Sequence, residues 1–160
     1  MSPDNAPVVS LDDAVARVRA WQADGRSVVF TNGVFDLLHP GHVRYLRSAR
    51  AEGDALVVAV NSDASVRANK GPSRPVHPDH ERAELLSALD CVDLVLVFDA
   101  LTPAAVIDAI QPDVLVKGAD WAHDAIVGRE AVEARGGRVV RMPVAAGHST
   151  TSLIERARSE

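Results

Sequence analysis

The sequence predicts an α/β fold, a doubly wound sheet of five parallel strands in the order 3-2-1-4-5. Three observations predict it. Short valine-rich runs alternate with helix-periodic segments along the chain. The runs are continuously apolar, as in strands covered on both faces, rather than alternating apolar and polar. Two glycine-containing turns, Asn32-Gly33 and Lys117-Gly118, follow the first and fourth runs. For both turns to line one ligand, those two strands must be neighbours, with the strand order reversing between them.

Each element has its own local justification. Residues 11–23 read as a helix: Leu11, Val15 and Val18 share a face and Ser10 can cap the start. Residues 27–32 form the first strand. Residues 41–52 are helical, with Val43, Leu46 and Ala49 on one stripe and Gly53 as the stop. The second strand is 55–61. Residues 69–80 carry three prolines and a glycine, so they read as a loop, either a lid over a ligand or a solvated connector. Then follow a helix at 79–89, a strand at 94–98, a helix at 103–110, a strand at 113–117, a helix at 127–135, a strand at 138–142 and a helix at 150–158. Residues 1–160 are expected to form a single domain, with 1–10 as a loose N-terminal tail.

Composition narrows the function. The chain of 160 residues is 47% hydrophobic and 24% charged, a globular balance that argues against disorder. Its net charge of −5 lacks the basic footprint of a non-specific nucleic-acid binder. The single cysteine, Cys91, excludes a disulfide within the chain and reads as a small buried residue. No secretory leader is apparent, and apolar runs such as 55–60 are too short to cross a bilayer. A cytoplasmic protein with neither nucleic acid nor membrane as partner is expected.

The chemistry should lie beyond the C-terminal strand ends. After the first strand come His39 and His42, flanking Gly41 at a helix start. Imidazole donors beside free helix N–H groups make a site for a phosphate that develops charge. The pair alone is a weak signal, and zinc catalysis would need a third ligand. His77 and His80 repeat the spacing, but in a polar loop where solvation explains them. Neither a P-loop nor the dinucleotide glycine fingerprint is present.

The run from Thr31 to His42, T-N-G-V-F-D-L-L-H-P-G-H, resembles the first signature of the cytidylyltransferase-like nucleotidyltransferases, whose H-x-G-H element binds a nucleoside triphosphate. Further matches keep the family's order: Val60-Asn61-Ser62-Asp63, Lys70-Gly71, Arg74-Pro75-Val76, Glu81-Arg82, Lys117-Gly118-Ala119-Asp120-Trp121 and Gly147-His148-Ser149-Thr150-Thr151. Together they span residues 25–158. Within the family the chain is most similar to enzymes that adenylylate D-glycero-β-D-manno-heptose 1-phosphate. Val144-Ala145 stand where glycerol-3-phosphate cytidylyltransferases carry Arg-Thr, which weakens a CTP assignment.

The resemblance implies a Rossmann-like enzyme that transfers AMP from ATP to heptose 1-phosphate for lipopolysaccharide core synthesis. Mg²⁺ would be carried mainly by the ATP phosphates. A separate heptose kinase and a homodimer or higher oligomer would be its partners. It implies His39 and His42 as phosphate donors and Asn32, Gly33, Val34 and Phe35 as backbone approaching the α-phosphate. Lys70 would reach the phosphates from the loop. Arg82 would be a fork on phosphate or sugar phosphate, or else a surface arginine paired with a glutamate. Asp36 and Asp120 would accept from sugar hydroxyls, or Asp36 would cap a helix. Lys117 and Gly118 would border the nucleotide, unless the Lys117 side chain points away. Ser149, Thr150 and Thr151 would cap the last helix and cradle phosphate at once. Trp121 either packs or stacks on the base. Two rival readings stand beside this one: a cytidylyltransferase for a small phosphorylated alcohol, and a non-catalytic nucleotide-binding module.

Overall fold

A computed structural model describes residues 4–143 and 147–159. Its sheet holds five parallel strands, β1 (Val28–Gly33), β2 (Ala55–Asn61), β3 (Leu94–Phe98), β4 (Val114–Gly118) and β5 (Arg138–Met142), in the order β3-β2-β1-β4-β5. This is the expected order. The helices are α1 (Leu11–Ala23), α2 (Pro40–Arg50), α3 (Asp63–Lys70), α4 (Asp79–Ser87), α5 (Ala104–Ile110), α6 (Arg129–Ala134) and α7 (Thr150–Arg158), with one 3₁₀ turn at His123–Ala125.

The strands are apolar throughout because each face has its own core. Val28, Phe30, Val57, Ala59, Leu94 and Leu96 pack with α1, α5 and α6 on one side. Val29, Leu56, Val58, Val60 and Val95 pack with α2 and α4 on the other. Cys91 is a free thiol buried in this second core, and burial pushes its pKa up.

Three expectations are corrected. Helix α3 was hidden because Val66 is its one large buried apolar residue, which leaves no stripe to read. Ser62 caps it by accepting from the Ser65 amide. Asn69 and Lys70 therefore sit on a helix, and the loop shrinks to residues 71–78. Helix α2 starts at Pro40, whose fixed φ suits the first helical position. From residue 6 the N-terminal segment is not loose. Ala6 N donates to the Ser87 carbonyl at 2.9 Å, Val9 N to Val95 O at 2.9 Å, and Pro7 O accepts from Val95 N at 3.0 Å. Val8 forms a parallel bridge to Val95, so this segment covers the β3 edge.

Strands β1 and β4 pair only at Val29–Val114 and Phe30–Leu115, whereas β1 and β2 pair over six positions. Beyond Phe30 the two strands are joined by side chains instead. Thr31 Oγ1 donates to Val116 O at 3.0 Å, and Tyr45 OH lies 2.8 Å from Thr31 Oγ1 and 3.3 Å from Val116 O. The sheet thus opens a crevice at the point where its strand order reverses.

Candidate active site

The crevice widens into a cavity of about 680 Å³. Asn32 to Asp36 line one wall, Lys117, Gly118, Asp120 and Trp121 another, His39 and His42 the floor, and Ser149, Thr150 and Thr151 the far side. Lys70 reaches it from the end of α3. Of the residues singled out from the sequence, only Arg82 is absent from the lining. The Oδ1 atom of Asn32 is the one buried side-chain polar atom without a partner among the described residues, which marks this wall as built for a donor from a ligand.

His39 is the N-cap of α2 and His42 its third residue, and the two cap each other. His42 N donates to His39 Nδ1 at 3.4 Å and His39 N to His42 Nδ1 at 3.3 Å. A ring whose Nδ1 accepts carries its proton on Nε2 when neutral. Both imidazoles are therefore N–H donors without being cations. The rings stack with centroids 3.8 Å apart. Burial and then the neighbouring His39 push His42 down to about 4, and burial and then His148 lower His39. Gly41 makes the stack possible: a Cβ there would lie 2.9 Å from the His39 ring and 3.0 Å from His148 Cβ.

The turn after β1 is held from both sides. Phe35 adopts φ +49, a left-handed conformation that costs a non-glycine residue about 1–2 kcal/mol. Its ring meets His42 edge-on at 5.4 Å, and a Cβ on Gly33 would collide with it at 2.9 Å. On one side of Phe35, Val34 O accepts from Arg82 Nη1 at 2.7 Å. On the other, Asp36 is fully engaged by the 71–78 loop, accepting from Arg74 Nε at 2.7 Å, Val76 N at 2.8 Å and His77 N at 3.0 Å. Burial raises the Asp36 carboxyl, but the His77 and Val76 amides and Arg74 outweigh it and hold the group below its usual range.

Two expected roles change accordingly. Asp36 does not cap a helix; its carboxylate anchors the loop. Arg82 is 0% exposed and is neither a phosphate fork nor a surface arginine. It donates to Val34 O, Asn61 O and His77 O and pairs with Asp63 at 2.9 Å. Arg74, which no sequence argument placed in the site, lines the cavity in its stead.

Lys117 points into the cavity, and its Nζ stands 5.3 Å from the centroid of the Trp121 ring. Burial lowers its pKa, while Asp120 opposes that shift. Trp121 is 48% exposed at the rim rather than packed inside. Ser149 caps α7 by accepting from Ser152 N at 3.0 Å, and Thr150 Oγ1 donates to Leu37 O at 3.4 Å, tying α7 to the turn before His39. Val144 and Ala145, which bear on the choice of base, lie outside the described residues. The sequence reading also passed over Tyr45, whose hydroxyl bridges the strand split, and His148, whose ring stacks on His39 at 5.7 Å. A half-buried tyrosine two residues after Val43, off the Val43-Leu46-Ala49 stripe, leaves no signal in periodicity.

Comparisons with known proteins bear on this geometry. The cytidylyltransferase-like family matches residues 30–156. The bifunctional protein HldE of Azorhizobium caulinodans is 55% identical over 152 residues, which is 95% of this chain and 32% of that protein. HldE of Geobacter sulfurreducens is 52% identical over 152 residues, 95% of this chain and 31% of that protein. The chain thus spans about a third of the length of these relatives. A lipopolysaccharide core biosynthesis protein from Thermoplasma volcanium superposes with a TM-score of 0.62 and 29% identity, covering 76% of this chain and 98% of that one.

Proposed function

The chain belongs to the cytidylyltransferase-like family, and on that premise we propose that it transfers AMP from ATP to D-glycero-β-D-manno-heptose 1-phosphate, releasing pyrophosphate and forming ADP-heptose. One observation carries the reading. Two helix N-termini, the paired Nε2–H donors of His39 and His42, and Lys70 and Lys117 converge on one cavity at the strand split. That arrangement suits a triphosphate. The heptose acceptor is supported by the family resemblance and by the HldE relatives. The family resemblance would place the chain in the cytoplasm, downstream of a heptose kinase and in the supply of lipopolysaccharide core, as a homodimer or larger oligomer.

The acceptor phosphate is its own nucleophile, since it is largely a dianion at neutral pH. An oxygen of the sugar phosphate bonds to the α-phosphorus, the α–β bridging bond breaks, and its electron pair leaves with pyrophosphate. No proton has to be removed, so the protein's work is alignment and charge stabilisation. His39 and His42 donate to phosphate oxygens as neutral rings. The Gly33–Phe35 backbone approaches the α-phosphate, Lys70 and Lys117 balance the remaining charge, and Asp120 accepts from ribose hydroxyls. The donor set fits a Mg²⁺ that arrives on the nucleotide. Asp36 is consumed by the loop, and among the described residues no three His, Cys, Asp or Glu side chains form a metal cage. When bound, the ion neutralises phosphate charge.

Pyrophosphate release tests the reading, measured with ATP or CTP against heptose 1-phosphate or glycerol 3-phosphate. Release with ATP and the heptose alone is expected. Faster turnover of CTP with glycerol 3-phosphate would replace this reading with the cytidylyltransferase one, and nucleotide binding without any turnover would leave a binding module.

A further inference from the structure

The floor of the cavity holds three imidazoles rather than two. His148, next to the N-cap of α7, stacks on His39 at 5.7 Å with an interplanar angle of 19°, continuing the row that His42 and His39 begin at 3.8 Å and 20°. It lines the same cavity. Gly41 is the spacer under both contacts, because a side chain there would strike the His39 ring and His148 Cβ together.

The three rings differ in what their nitrogens are already doing. Nδ1 of His39 and Nδ1 of His42 each accept a backbone N–H, so adding a second proton to either ring breaks the cap of α2. The His148 ring makes no hydrogen bond among the described residues. It alone in the row can present two N–H groups without dismantling a helix start. We propose that His148 is a third phosphate-binding imidazole, which donates a ring N–H to the nucleotide's phosphates. The proposal rests on the nucleotidyltransferase reading above.

The surrounding residues suit an anionic ligand. Facing the row are His39 and His42 from the start of α2, Lys117 and Asp120 from the end of β4, Lys70 from α3, Arg74 from the 71–78 loop, and Tyr45. Lys70, Arg74 and Lys117 outnumber the carboxylates Asp36 and Asp120 on this lining, and Asp36 is already paired with Arg74, so the row faces a site suited to a polyanion.

The test compares wild type with His148→Phe, which keeps a stacking ring but no donor, and His148→Gln, which keeps a donor but no ring. Thermal unfolding verifies that each variant is folded. ATP binding is measured without acceptor by calorimetry at pH 7. His148→Phe should bind ATP roughly ten- to a hundredfold more weakly, the worth of one charge-assisted hydrogen bond. His148→Gln should recover part of that affinity. Wild-type affinity in His148→Phe would overturn the proposal and leave His148 a packing residue. A wild-type protein that binds neither ATP nor CTP would overturn both the proposal and the reading beneath it.

Discussion

His42 concentrates what the site does in one ring. It caps α2, stacks on His39, meets the edge of Phe35 and keeps a donor on Nε2. A donor matched to charge that develops in the transition state acts mostly there. His42→Ala is therefore expected to lower kcat by about 10²–10³-fold, in the range of a lost oxyanion donor, with a much smaller effect on the Kd for ATP. Steady-state kinetics beside equilibrium binding separates the two; unchanged kcat with weaker binding would contradict it. The same ring makes stability depend on pH. Its folded pKa of about 4 lies below the ordinary histidine value of 6.5, so the unfolded chain binds the extra proton first as pH falls. Stability from this group is complete above about 6.5 and is lost progressively down to about 4. Urea unfolding at pH 7 and pH 5 should show a drop, on the order of 1–2 kcal/mol once partial exposure is allowed for, that is smaller in His42→Asn. At this scale the H-x-G-H motif was legible, because its spacing and its glycine are visible in one dimension. The mutual capping, and the donor tautomer that follows from it, needed the helix start to be built. His148 lay more than a hundred residues away, and only the fold brings it against His39.

Among the elements, the 71–78 loop and α4 surround the turn after β1, and each turns one arginine inward, Arg74 and Arg82. Replacing Arg82 by Ala leaves the Val34, Asn61 and His77 carbonyls without their donor and Asp63 without its partner. A loss of about 3–5 kcal/mol is expected from chemical denaturation, as for one partner removed from a buried ion pair. Asp36→Ala frees the loop instead. The Val76 and His77 amides, which donate to Asp36, should lose their protection from hydrogen exchange while α4 amides keep theirs. Equal protection in variant and wild type would show that the loop is held by something else. The sequence revealed the loop through its prolines and Arg82 through its motif, but motif membership did not say which way the guanidinium points. Burial decides that, and a charge on a nine-residue helix of weak apolar periodicity gives no sign of burial. Helix α3 escaped for a related reason, since one valine cannot mark a face.

Across the whole molecule, strand order was the most legible property. Apolar runs and two glycine turns depend on local sequence, while right-handed crossovers limit how they can assemble. What stayed hidden were long-range closures such as residues 7–9 along the β3 edge. Removing residues 1–9 deletes the backbone bonds to Ser87 and Val95 and bares a strand edge that carries the half-exposed Val97. The truncated protein is expected to unfold at lower urea and to show rising light scattering on storage; a monodisperse sample of unchanged stability would disprove this role. Arg82 has a wider consequence. Through one side chain it fastens positions 34, 61, 63 and 77, which belong to the turn after β1, the end of β2, the start of α3 and the entry to α4. None of these segments can open without stranding the others' buried polar groups, so they should exchange and melt as one cooperative unit. The cavity then has no partly assembled form: in a denaturant titration, nucleotide binding disappears in the same step as α4, and the affinity of the surviving fraction stays constant to the end of the transition.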